Sequence, residues 1–157
     1  MKKAVLVALG TLLAFGGLSA CTKQVGPDPL EPPYQPIKSI AGATLPTEIG
    51  GYSVLGSAPA TNQLSTTYAR DAKPLDLAVV TFHPAPSEYR SLSLADQQWY
   101  GWSRCGILWE GDANVTPKPE QSACITLFVD GVMTIVSGGE QTTKDLAQFA
   151  NAIYEQL

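Results

Sequence analysis

One histidine serves all 157 residues of this chain. A Ser-His-Asp site would therefore have to use His83, which closes an apolar stretch with Pro84 and Pro86 beside it, a setting that suits a structural turn. The nearest approach to a nucleophile elbow is Gly101-Trp102-Ser103-Arg104-Cys105. It lacks the glycine two residues after the serine that lets a strand turn sharply into a helix. Asp76 and Glu88 are spaced too loosely to nominate as an acid/base pair, and Gly138-Gly139 stands outside any G-x-x-x-x-G-K-[ST] phosphate loop. After Lys2-Lys3 the basic residues never cluster. That excludes the Lys/Arg footprint by which nucleic acids and anionic lipid surfaces are bound. There are three cysteines, and the spacing of Cys105 and Cys124 fits no zinc or thioredoxin-type motif. The expectation is a chain with no catalytic residue, metal site or cofactor.

What is present starts at the N-terminus. Lys2-Lys3 precedes an apolar run over residues 4–17, and Leu18-Ser19-Ala20-Cys21 follows it. The run is too short, and too broken by Gly10, Gly16 and Gly17, to make a good membrane-spanning helix. A positive segment, an apolar segment and a small-residue pair before cysteine together resemble the signal peptide and lipobox of bacterial lipoproteins. The competing reading is an ordinary secretory signal whose cleavage site ends beside a cysteine. The lipoprotein resemblance implies that residues 1–20 are removed and that acylated Cys21 becomes the mature N-terminus. The protein would then sit lipid-anchored on the extracytoplasmic side of the cell membrane, with the outer membrane open to it in a Gram-negative cell. Each buried methylene contributes about 0.8 kcal/mol, so two or three acyl chains hold a protein on a bilayer that one chain would not. Thr22 stands where many inner-membrane lipoproteins carry aspartate. Loss of Lys2 and Lys3 with the signal leaves 8 basic against 14 acidic residues, a formal charge near −6.

With Cys21 assigned to lipid, Cys105 and Cys124 remain as a pair that an oxidising envelope would join. Residues 22–42 read as a tether: Pro27, Pro29, Pro32, Pro33 and Pro36 favour extended polyproline II. Counted from Cys21 to Pro36, it reaches about 45 Å at about 3.1 Å per residue. Pro29-Leu30-Glu31-Pro32 and Pro33-Tyr34-Gln35-Pro36 also match P-x-x-P, though a spacer explains them more simply than a docking peptide. The organisation expected is a signal over 1–20, a lipidated cysteine and tether over 21–42, and one globular domain over 43–157.

Within that domain, residues 124–129 and 132–137 flank Asp130-Gly131, the dipeptide preferred by a two-residue type I′ turn. That turn would pair Val129 with Val132, Leu127 with Thr134 and Ile125 with Val136. Further strands are expected at 52–55, 65–70, 75–82 and 103–109. If the last of these neighbours the strand of Cys124, the disulfide follows. Leu146, Phe149, Ala150, Ile153 and Leu157 trace the apolar face of a C-terminal helix capped by Thr142 or Thr143, with Asn151 among the residues pointing away. A second helix is expected between Ser87 and Trp99, from the spacing of Tyr89, Leu92, Ala95 and Trp99. The fold class is then α+β: a single antiparallel sheet of about five to six strands with one or two helices on one face. At the level of topology this resembles the small PsbP-like and Mog1-like folds, a likeness that carries no function.

The chain's three tryptophans, Trp99, Trp102 and Trp109, lie close together with Tyr100 and Arg104 among them. Core packing is the simpler account of Trp99 and Trp109. Tyr100, Trp102 and Arg104 are the expected contact surface, since tryptophan and tyrosine faces stack on sugars and anchor interfaces. The leading expectation is a non-catalytic, membrane-anchored binding or adaptor module for an envelope protein or glycan. Its alternatives are a small-ligand carrier and an envelope hydrolase built on His83.

Overall fold

The computed structural model describes residues 32–59, 65–70, 76–86, 94–108, 121–139 and 141–157. The signal, Cys21, the first part of the tether, Glu88 and Trp109 lie outside the described residues. Among the described residues there are eight strands: β1 (Glu48–Ile49), β2 (Tyr52–Val54), β3 (Ser65–Arg70), β4 (Leu77–His83), β5 (Leu94–Tyr100), β6 (Ser103–Leu108), β7 (Gln121–Leu127) and β8 (Val132–Ser137). One helix, α1 (Thr143–Gln156), follows them. The architecture is α+β, with more strands than expected. They form one antiparallel sheet in the order β1-β2-β3-β4-β8-β7-β6-β5, so two four-strand meanders meet where β4 pairs with β8.

Glycines set two of the turns. Gly50 and Gly51, at φ +57° and +81°, join β1 to β2 as a two-residue type I′ turn does. Gly101, at φ +59°, takes the first central position between Tyr100 and Ser103, the place that a type II′ turn reserves for glycine. That turn accounts for a correction: Leu94–Tyr100 is a strand where the end of a second helix was expected. The apolar spacing there was sparse, and Asp96, Gln97 and Gln98 interrupt it, whereas a Gly-X pair before Ser103 closes a hairpin on β6. The remaining residues of the expected helix, 87–93, lie outside the described residues.

The β7–β8 hairpin forms with a different register. Leu127 pairs with Val132, Thr126 with Met133 and Ile125 with Thr134. Val129 and Asp130 are thus central in the turn, and the Phe128 amide donates to the Gly131 carbonyl at 2.9 Å. Gly131 does not supply positive φ; it supplies room, because a methyl there would run into the Ile40 side chain and the His83 carbonyl oxygen. The offset from the expected register is two residues, so every side chain stays on its expected face.

α1 starts at Thr142, whose hydroxyl oxygen accepts from the Asp145 amide at 3.1 Å and donates to the Asp145 carboxylate at 2.8 Å. Asp145 also lies in the first turn, where the helix dipole favours negative charge. The helix buries Leu146, Ala147, Phe149, Ala150, Ile153 and Tyr154 against one face of the sheet. Below it lie Tyr52, Tyr68, Val80, Met133, Ile135 and the Cys105–Cys124 disulfide, which joins cross-strand partners of β6 and β7. The opposite face holds a smaller cluster of Leu94, Ala123, Ile125 and Val132. There the ladder between β5 and β6 shifts between Ala95 and Gln98, and Asp96 sits at φ +48°. The shift carries β5 so close over Gly106 that a side chain at that position would meet the Ala95 carbonyl oxygen.

Residues 32–42, read from sequence as the end of the tether, lie against this domain. The Lys38 carbonyl accepts from the Val129 amide at 2.9 Å. The Ile40 and Ala41 amides donate to the two carboxylate oxygens of Asp130 at 2.8 and 3.1 Å, and the Ser39 hydroxyl donates to that carboxylate as well. This stretch is called the strap below.

Candidate functional site

The residues singled out for contact gather at the end of the β5–β6 hairpin, beside the C-terminal half of α1. Asn151 fastens the two together. Its Oδ1 accepts from the Trp102 amide at 3.0 Å and from the Ser103 hydroxyl at 3.2 Å, and its Nδ2 donates to the Tyr100 carbonyl at 2.8 Å. The helix periodicity had placed Asn151 on the solvent side. A side chain at the boundary of the apolar stripe is half-buried once a hairpin end reaches it. No pattern of spacing in the sequence marks that contact.

On this scaffold the Trp102 ring stacks on Tyr154, centroids 4.9 Å apart and planes 27° from parallel. The strap completes the arrangement. Tyr34 sets its ring edge-on to Trp102 at 4.9 Å and to Trp99 at 5.9 Å, and lies 6.4 Å from Tyr154. Its hydroxyl donates to the Trp102 carbonyl. Four residues on, the Lys38 ammonium donates to the Glu155 carbonyl at 2.8 Å and stands 5.4 Å from the Tyr154 ring centre, within cation–π range. Edge-to-face pairs of this kind contribute about 0.5–1.5 kcal/mol each beyond the area they bury. The site is therefore an aromatic cleft of Trp99, Trp102 and Tyr154, occupied by the chain's own Tyr34. Tyr34 stood in the sequence reading as a spacer residue, and the P-x-x-P match around it was the signal that could have found it.

Of the three expected contact residues, the structure brings Tyr100 and Trp102 to this cleft, both half-buried. Arg104 is a correction: it is 1% exposed, and its Nη1 donates to Gln97 Oε1 at 2.8 Å. Strand parity is the cause. Arg104 lies cross-strand from Ile125, on the sheet face away from α1, where the bulge in β5 brings Gln97 to its guanidinium.

The other sequence candidates lie elsewhere. His83 ends β4 with its Nε2 3.3 Å from the Thr134 hydroxyl on β8. Ser103, of the incomplete elbow, is fully buried and shares a 2.7 Å hydrogen bond with Thr126. Among the described residues no three His, Cys, Asp or Glu side chains gather to hold a metal ion, and no helix is long and apolar enough to cross a membrane. A depression of about 120 Å³ opens at the other end of α1, lined by Gly50, Tyr52, Arg70, Asp145, Gln148 and Phe149. Burial raises the Tyr52 hydroxyl above its ordinary value against the pull of the Arg70 charge.

No family model, curated protein or solved structure matches this chain. The cleft has to be read from its own chemistry: flat aromatic faces, a carbonyl acceptor at Trp102 and a groove floor made by one helix and one hairpin end. It offers stacking area and one directional hydrogen bond, both taken up by Tyr34.

Proposed function

We propose that this protein is a lipid-anchored lipoprotein of the bacterial cell envelope whose single domain is a non-catalytic binding or adaptor module for an envelope protein or glycan. The observation that carries the anchor is the sequence order Lys2-Lys3, an apolar run and Leu18-Ser19-Ala20-Cys21. The binding role is supported by the aromatic cleft at Trp99, Trp102 and Tyr154, which already holds the proline-flanked Tyr34. A disulfide between fully buried cysteines suits an oxidising compartment.

Two measurements on cells test the reading. Mass spectrometry of the mature N-terminus should find an acylated cysteine at position 21, and Cys21→Ala should release the protein from the membrane fraction. In-cell crosslinking of the lipidated protein, with Cys21→Ala as control, should then capture a specific partner. An unmodified N-terminus at another residue would remove the anchor. Capture of nothing beyond the control would remove the adaptor role and direct attention to a co-purifying small molecule.

A further inference from the structure

The cleft is filled in cis, and what fills it defines what it recognises. Tyr34 contributes a ring to three aromatic neighbours and a hydroxyl to the Trp102 carbonyl. Prolines flank it on either side and restrict its backbone, so docking costs little entropy; the chain bends at Pro33 and Tyr34, which aims the ring at the cleft. The segment ends in a clasp, where Ile40 packs against the main core cluster. Beyond Tyr34 it is tied at the Glu155 carbonyl and at the Val129–Asp130 turn, and Gly42, at φ +75°, turns the chain away before Leu45 enters the core. Two large apolar side chains border this clasp in water: Ile37 is 74% exposed and Val129 53%.

We propose that this cleft is a docking site for a proline-flanked tyrosine segment of an envelope protein, and that residues 32–41 are its built-in competitor. This deepens the binding-module reading by naming the surface and the chemistry of its ligand. A second copy of this chain is the poorer occupant. Exchange of straps between copies remakes the same contacts and loses the entropy of association. A foreign segment has no cleft of its own to abandon, and Val129, 53% exposed, offers it apolar area that the strap leaves uncovered. The cis segment works at an effective concentration on the order of millimolar, so the cleft stays shut until a partner out-competes it or draws the strap away. Release has a second consequence. With the strap docked, residues 21–31 alone link the anchor to the domain; with it released, the link is residues 21–42, twice as many.

The test uses the full mature chain and a synthetic peptide with the sequence of residues 32–41, monitored by NMR at the indole N–H groups of Trp99 and Trp102. In Tyr34→Ala the peptide should bind at least about tenfold more tightly than in the wild type, where the strap competes. The same peptide with alanine for tyrosine should bind neither. A tyrosine peptide that binds neither protein, or binds both alike, overturns the proposal. Should Tyr34→Ala fail to fold, amide exchange in the wild type decides. The Ile40, Ala41 and Val129 amides should exchange together, at least about 100-fold faster than Ile125 and Ile135 in the sheet. Exchange of all five at one rate overturns it. A crosslinked partner that persists when excess peptide is added would leave the binding-module reading standing and this cleft excluded.

Discussion

Reducing the Cys105–Cys124 disulfide isolates one contribution to stability cleanly, because no atom of the packed core is removed. The two cysteines are 19 residues apart and both fully buried, cross-strand neighbours beneath α1. In the chain-entropy model a loop of that length removes about 11 cal/mol/K from the unfolded ensemble, which is about 3 kcal/mol at 25 °C. The ladder around the bond, Arg104 with Ile125 and Gly106 with Ala123, needs no covalent help once formed, so the reduced protein should refold with an unchanged far-ultraviolet spectrum. The assay is urea unfolding of the oxidised chain against a sample unfolded and refolded in excess reductant. With a slope of about 1.5 kcal/mol/M the midpoint should fall by about 2 M. A loss under about 1 kcal/mol would refute the entropic argument, showing the 105–124 connection already constrained when unfolded. Failure to refold at all would refute it from the other side.

Three further outcomes are expected. The Asp130 carboxylate is held below its ordinary value: partial burial opposes this, but hydrogen bonds from Ser39, Ile40 and Ala41 outweigh it. A depressed folded-state value means that the contribution to docking is complete above the ordinary carboxylate range and is lost as pH falls through the lowered value, below about pH 4. Exchange at Ile40 and Ala41 should therefore accelerate on acidification before the sheet amides respond, and Asp130→Asn should abolish that dependence. Gly106→Ala should destabilise by about 1–3 kcal/mol in urea titration, because the added methyl meets the backbone of β5 and not a flexible side chain. Thr142→Ala should cost about 1 kcal/mol through loss of the cap on the Asp145 amide, measurable as a lowered Tm with unchanged near-ultraviolet signal.

Much of the fold was legible from periodicity. The alternation around Cys105, Cys124 and Ile135 marked the central strands. The stripe from Leu146 through Ile153 marked the helix and, with Thr142, its start. What escaped were long-range choices. Asp130-Gly131 carries a strong local turn signal, yet the Asp130 carboxylate is committed to the strap and Gly131 to close packing, so the register moved by two. β5 was missed because three polar residues in a row conceal a bulged strand, and β1 because two residues give no period to read. Of the expected contact residues, Tyr100 and Trp102 reach the cleft by virtue of the Gly101 turn. Arg104 departs from its neighbours because strand parity turns it to the face away from α1. Tyr34 and Asn151 act at long range, 68 and 49 residues from Trp102; the P-x-x-P match is the one local signal of the first, and a proline-rich spacer accounts for it equally well.

The strap has an unusual place in the order of synthesis. Its docking partners, Trp99, Trp102, Val129, Asp130, Tyr154 and Glu155, all follow it by more than sixty residues. A ribosome delivering about 5–20 residues per second releases the strap seconds before it releases the surface that receives it. The edge of β4 waits in the same interval, since its partner β8 comes about fifty residues later. The newborn chain therefore has a period in which an unpaired strand and a proline-rich arm are both open to other proteins, and the last turn of α1 brings it to a close.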